Sequence, residues 1–584
     1  MLRGCRWQFT LFLLAALSLA AGLVWRDFLR SDPEQGDSDP PPATTAAIAT
    51  PGTGPVDAPV IGEMDGEVDI PTFREGLVGS LAHLNPLLVA PGSLEAQVGG
   101  LIYEGLTGLN SQGEPVPELA AGLTVTTSGL EYVVTLRDDV LWQDGVPLTA
   151  TDVKFTISLL QARDFPADSE VARFWRTVEV DVLAANVLRF RLSQPLGSFL
   201  DRLTLPILPW HALQGTAPAR LADHPFNWSP IGTGRWQLEA LRHKENEEPG
   251  QVDFRLAPTW QGRGEATNIP AGSRLRLELF GDFDEALHAL AGGAIDGLAA
   301  RTLQQQEAIL ALAGQNALHL AFSTDQRVAM LIFNWQREAS AFLRDQRVRL
   351  AMASSLDREA VVTQTLGNRA VIANSPLWPG AWAWTNDLAW PGEDLDAARW
   401  LLQTARTRED GVESGGDNTL ALRVLAFDDP VLEAMLQTFA GQWARVGIEV
   451  TIDSRPDLAY RQALRNGDFD AALVEYSAGH STDPDIYPFW HVGQYPDGLN
   501  FGGVDDRRLS ELLERARREP WGVNRSALYR KVQETFAERV IALPLYHPVV
   551  IYATAPGVGG IQLDRTGIPA NRFESLDLWP VRSG

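Results

Sequence analysis

The stretch "DDPVLEAMLQTFAGQWARVGIEVTI", from Asp428, restricts the possible folds more than any other part of the chain. Asp429 stands as a helix N-cap with Pro430 in the first turn. Leu432, Met435, Leu436, Phe439 and Trp443 recur at helical spacing, and Gly447 stops the helix. The apolar run Ile448 to Ile452 follows at once, and a second one, Leu420 to Phe427, comes before. A strand, a helix and a strand in this order cross over right-handedly and pair in parallel.

A weak internal echo extends the unit. "DFDEALHALAGGAIDGLAA", from Asp282, and "RPDLAYRQALRNGDFDAALVEY", from Arg455, each run from a short amphipathic helix through a glycine turn to an aspartate and an apolar strand. Chance likeness between two ordinary helix-turn-strand units would read the same way. Taken as a repeat, the echo gives two α/β lobes of similar design with a cleft between them, and open α/β sheets bind ligands at the carboxyl ends of their strands. The 584 residues exceed one hydrophobic core and suit several domains. Elsewhere, Leu188, Phe190 and Leu192 alternate with Arg189 and Arg191, the pattern of a half-buried strand.

Charge and rare residues exclude whole classes of function. A formal net charge of −25 repels nucleic acid and anionic lipid. Lysine occurs only at Lys154, Lys244 and Lys531, and no Gly-Lys-Ser/Thr sequence exists, so the chain has no phosphate-binding loop. The single cysteine, Cys5, precedes the body and leaves it without a disulfide or a thiolate metal site. No Gly-x-Ser-x-Gly elbow or His-Glu-x-x-His helix is present, which argues against an extracytoplasmic hydrolase.

Arg3 and Arg6 followed by the apolar run Phe9 to Val24 read as an export signal. Cleavage after Ala20 and retention as a short membrane anchor both suit this run. Residues 31–67, rich in Pro, Thr and Ala, read as a disordered tether and favour retention.

"YVVTLRDDVLWQDGVPLTATDVKFTISLL", Tyr132 to Leu160, combines a strand, a tight Asp144-Gly145 turn and a helix boxed by Thr149 and Asp152. It is similar to the best-known signature of the family 5 extracellular solute-binding proteins, the peptide and nickel class that serves ABC importers. "PIGTGRWQLE" from Pro230, "RVRLAMASSLDREAVV" from Arg347 and "RSALYRKVQETFAERVIALPLYHP" from Arg525 resemble further family segments in the family's order. The resemblance implies a two-lobed periplasmic-binding-protein-like α/β fold of type II, in the large cluster that carries an extra inserted subdomain. Lobe I would comprise 68–112, 226–328 and 542–584, the inserted subdomain 113–225 and lobe II 329–541, preceded by the 1–30 signal or anchor and the 31–67 linker. Crossing strands near 331–334 and 541–546 would form the hinge.

The implied function is capture of a small solute, conventionally an oligopeptide, outside the cytoplasm and its delivery to a membrane permease. The protein would be a monomer, periplasmic or at the cell surface, without cofactor, metal or catalytic residue. A sugar or metal chelate as solute, or sensing for a signalling partner, are the alternatives. In peptide-binding members a strand ends in an aromatic residue followed closely by an aspartate that grips the peptide's amino group. The matching segment here is "DAALVEYSAGHSTDPD": Tyr476 takes the aromatic place, Ser477 and Ala478 follow, and Gly479 and His480 stand where the aspartate is expected, leaving Asp483 to reach back.

His480, Asp483, Asp485 and His491 also invite a metal-site reading, but Pro484 and Pro488 interrupt any helix that could align them, and a plain turn with solvated carboxylates accounts for them equally. Trp382 and Trp384, in a tryptophan-rich loop, are candidate aromatic platforms, although core packing reads as well. Val89, Ala90 and Pro91 resemble the segment whose backbone borders bound peptide. His211, His224 and His319 have no acid at a useful spacing.

Overall fold

The chain divides into two units, Met1–Glu67 and Val68–Gly584. The computed structural model describes residues 72–90, 92–110, 113–167, 170–243, 249–263, 273–409, 420–477, 481–558 and 563, all in the second unit. The expected signal or anchor and its linker lie outside the described residues. Among those described, no helix is long and apolar enough to cross a membrane.

The strand-helix-strand unit forms as its sequence dictates. Asp429 accepts the N–H groups of Val431 and Leu432, and Met435, Leu436, Phe439 and Trp443 of helix Pro430–Ala444 are buried. Trp443 adds a hydrogen bond from its indole to Met352 O, 3.0 Å. Gly447 takes a φ of +80°, which a residue with Cβ adopts only at a cost. Strands Leu420–Phe427 and Ile448–Arg455 then pair in parallel along their whole length.

The repeated aspartates have a common physical role. Asp296 lies just before strand Gly297–Ala300; its N–H bonds Arg74 O, and its carboxylate accepts the N–H of Arg74. Asp470 lies just before strand Ala471–Ser477; its N–H bonds Arg423 O, and its carboxylate accepts the N–H of Arg423. Each pins a parallel neighbour, Thr72–Val78 in one case and Leu420–Phe427 in the other. An arginine neutralises each buried acid, Arg74 and Arg337 respectively, both at 2.9 Å.

Among the described residues, one mixed sheet runs in the order Ile448–Arg455, Leu420–Phe427, Ala471–Ser477, Arg327–Phe333, Ala542–Thr554, Gly297–Ala300, Thr72–Val78, Arg274–Phe280, Pro249–Leu256, Trp236–His243. The strands of the two echo units, Gly297–Ala300 and Ala471–Ser477, fall on opposite sides of the long strand Ala542–Thr554. Strand Arg327–Phe333 is buried on both faces: Val328, Met330 and Ile332 enter one core cluster and Ala329, Leu331 and Phe333 another. A separate antiparallel sheet, Ala120–Val125, Glu131–Leu136, Val187–Leu192 and Val178–Ala184, carries the alternating pattern predicted for 188–192. The helix Ala150–Gln161 packs against it, with Asp152 accepting both the N–H and the hydroxyl of Thr149.

The long strand Ala542–Thr554 joins the halves of the large sheet. Its Ala542–Tyr546 part pairs with Arg327–Phe333, and its Val549–Thr554 part with His319–Thr324. The change of partners therefore falls at Asp325–Gln326 and His547–Pro548, displaced by a few residues from the crossing expected at 331–334 and 541–546. The displacement arises because both expected segments are occupied in pairing within one half of the sheet.

Candidate functional site

The small antiparallel sheet and the far half of the large sheet meet at a polar join. Thr482 donates its hydroxyl to Gly113 O at 2.5 Å, and the N–H of Gly197 bonds Arg517 O at 2.8 Å. Both glycines are required by close approach. A Cβ on Gly113, whose φ is +75°, would lie 2.2 Å from Gly380 O, and one on Gly197 would lie 2.2 Å from Glu519 O. Ser481 completes the join by donating to Asp201 Oδ2 at 2.8 Å.

Beneath it lies a buried charged group. Arg525 grips Asp483 with two nitrogens, at 2.5 and 2.7 Å, and gives its Nε–H to Ala516 O at 3.0 Å. The side chains are 0% and 4% exposed. Burial works against the Arg525 charge, but Asp483 outweighs it and holds the guanidinium above its ordinary pKa. The guanidinium also lies over the rings of Trp382 and Tyr529, 5.2 and 5.3 Å from their centroids. Arg517 pairs with Asp485 at 3.2 Å, and burial raises the Asp485 carboxyl.

Asp201 differs from these acids. It is half-buried, and among the described residues no cation lies within salt-bridge distance of it. Burial first, and then the nearby Asp483 carboxylate, push its pKa up to about 6, against the weaker pull of Ser481, Arg202 and Arg525. A half-buried acid perturbed by burial and by like charge at a join between modules is the kind of group that marks a binding site.

The structure brings Trp382 and Asp483 to the same arginine. Trp382 stands edge-on to Trp521, 4.6 Å between centroids. Trp384, two residues on, turns its ring to His547 at 5.9 Å. Tyr476 is buried in the core against Phe489 and Trp490, at 4.7 and 5.3 Å, and Ser477 ends its strand exposed. Ala478, Gly479 and His480 lie outside the described residues, as does Pro91. Val89 is half-buried and Ala90 exposed in the turn before helix Leu94–Ile102, where Ala90 O accepts the N–H of Ser93.

Asp483 and Pro484 are buried and Asp485 is half-buried, so the solvated-turn reading fails for Asp483. Its sequence gave no sign of the two arginines that make burial tolerable. His491 stacks on Tyr487 at 4.1 Å and meets Glu514 at 3.1 Å. Among the described residues, no three His, Cys, Asp or Glu side chains are placed to hold a metal. His211 does have an acid, Asp144 at 2.7 Å, which spacing alone could not reveal. Asp201 and Ser481 were also missed, while Arg525 was visible only as the first residue of a family-like segment.

Residues 114–497 match the family model described as bacterial extracellular solute-binding proteins, family 5 Middle. The oligopeptide-binding protein AppA of Bacillus subtilis is 24% identical over 492 residues, 81% of this chain and 86% of the relative. The nickel-binding periplasmic protein of Escherichia coli is 25% identical over 499 residues, 82% and 89% of the two chains. Among solved structures, HbpA2 from Haemophilus parasuis superposes with a TM-score of 0.71 at 18% identity, covering 86% of this chain and 98% of its own, and so shares the two-lobed fold.

Proposed function

The chain belongs to the bacterial extracellular solute-binding proteins of family 5, and from that premise we propose that it captures an oligopeptide at the polar join and delivers it to an ABC permease. The relative that binds oligopeptides supports this choice of solute, and the excess of acid at the join carries it. Asp201, Asp483 and Asp485 face two guanidiniums, Arg525 and Arg517, while Arg202 pairs with Glu170 at 3.5 Å. One negative charge is left over, and it falls on Asp201. An ammonium group, such as the free amino end of a peptide, neutralises it by a charge-assisted hydrogen bond inside a water-poor join. Asp201 thereby supplies the acid that the Gly479 position does not.

Trp382 and Trp384 serve as apolar walls in this reading, and Ser481 and Thr482 close over the solute. Val89, Ala90 and the strand-ending Ser477 border it in this reading. Capture and release make and break no covalent bond. The N-terminal run holds the body at the membrane as a monomer.

Native mass spectrometry of the full chain with a synthetic pool of free and N-acetylated short peptides tests the reading. Free peptides are expected to bind unaltered, and their acetylated forms to bind more weakly. Failure to bind any peptide, or the appearance of cleaved product, overturns it.

A further inference from the structure

At the crossing of the large sheet several polar side chains are buried without hydrogen-bond partners among the described residues. Gln326 is 2% exposed, and neither atom of its amide is matched. His547 is 0% exposed. One of its ring nitrogens, Nδ1, lies 3.1 Å from Arg327 O. A carbonyl only accepts, so Nδ1 carries the proton and Nε2 is left as a lone-pair acceptor, which is unmatched. The indole N–H of Trp384 is unmatched as well, with its ring edge-on to His547.

These groups are neighbours by construction of the sheet. Asp325 N–H bonds Pro548 O at 2.7 Å, and His547 reaches Arg327 O, so Gln326 is held between them beside His547. Gln306, 1% exposed, comes from the adjoining helix Leu303–Ala313. It donates to Val549 O at 2.5 Å and leaves its own carbonyl oxygen unmatched. Buried polar groups in folded proteins are nearly always paired, so a cluster at one point that is unpaired among the described residues calls for a partner that those residues do not supply.

We propose that Gln326, His547 and Trp384 form a recess that receives an uncharged amide group of the bound solute. The unmatched set contains donors, the Gln326 and Trp384 N–H groups, and acceptors, the Gln326 oxygen and His547 Nε2. A carboxylate would set its lone pairs against His547, and an ammonium would set its hydrogens against Trp384. An amide offers one N–H and one C=O and matches both kinds. Burial lowers the His547 pKa to about 4, so the ring stays neutral and keeps its lone pair at neutral pH. The recess sits where both crossing strands change partners, so an amide bound there touches the connection between the two halves of the sheet.

The proposal rests on the peptide-capture reading, and the experiment separates the two. The tightest-binding peptide from the synthetic pool is titrated by calorimetry into the full chain and into Gln326→Leu and His547→Phe. Each variant removes hydrogen-bonding capacity, and each is expected to weaken binding by about tenfold or more. As a check independent of variant folding, the ¹⁵N resonance of His547 Nε2 in the wild type is expected to shift when that peptide is added. Affinities within about twofold of wild type in folded variants, or an unmoved Nε2 resonance, mean that the recess holds only structural water. Either overturns the inference and leaves peptide capture standing. A wild type that takes no peptide from the pool overturns both.

Discussion

Replacing Asp201 by Asn tests the join without any solute. In the joined state the Asp201 carboxyl is pushed from an ordinary value of 3.8 up to about 6, by burial and by Asp483. When the join opens, water restores the ordinary value. A group whose pKa is raised in the closed state stabilises that state fully below its open-state pKa. It loses the contribution as pH rises through the raised value, here between about pH 4 and pH 6. The difference corresponds to about a hundredfold in the opening equilibrium, or about 3 kcal/mol, and water reaching the half-buried carboxylate trims this upper bound. The amide of Gly197, bonded to Arg517 O across the join, reports opening directly. Native-state hydrogen exchange of the peptide covering Gly197, corrected for intrinsic rates, should show protection falling as pH rises from about 4 to about 6 and level above that. Asp201→Asn cannot ionise yet can still accept from Ser481, so its protection should be flat over the same range. A variant that keeps the wild-type midpoint, or a wild type whose protection rises with pH, would refute the reasoning.

Two further substitutions probe the same region. Arg525→Met leaves Asp483 buried without its cation and is expected to cost about 3–5 kcal/mol, seen as a lower urea midpoint by tryptophan fluorescence. Adding Asp483→Asn removes the stranded charge and should restore part of the loss, and a double variant no better than the single one would contradict the pairing. Gly113→Ala meets both a φ of +75° and a carbonyl oxygen 2.2 Å from the new Cβ, whereas Gly215→Ala has a φ of +83° and open space. The first should lower the melting temperature clearly more than the second, and equal losses would show that only backbone strain matters at Gly113.

Local rules made much of the fold readable. The Asp429 cap, the Met435-to-Trp443 stripe and the Gly447 stop lie within one helix, and the 188–192 alternation lies within one strand. The echo was readable as a pattern, but its cause was not, because Asp296 meets Arg74 across 222 positions and Asp470 meets Arg423 across 47. The crossing was misplaced by a few residues for a similar reason. Strand propensity marks where a segment is extended and says nothing about where its partner changes.

The candidate site is harder to read because every contact that defines it joins distant positions. Ser481 and Asp201 are 280 apart, Thr482 and Gly113 369, and Arg525 and Asp483 42. Aspartates and tryptophans could be singled out by type, but their charge state depends on which arginines reach them. Asp483 and Asp485 are matched by Arg525 and Arg517, so neither is free to hold a cationic solute without stranding a guanidinium. Among the described residues Asp201 is met by a hydroxyl and by no paired guanidinium, so it can exchange a proton for an ammonium at no such cost. Proton and solute therefore compete for one carboxylate. With its pKa at about 6 the carboxylate is ionised and open to an amine at neutral pH, and filled by a proton in acid. The same charge that draws the solute in loosens the empty join, so a bound amine and a bound proton are alternative ways of closing it.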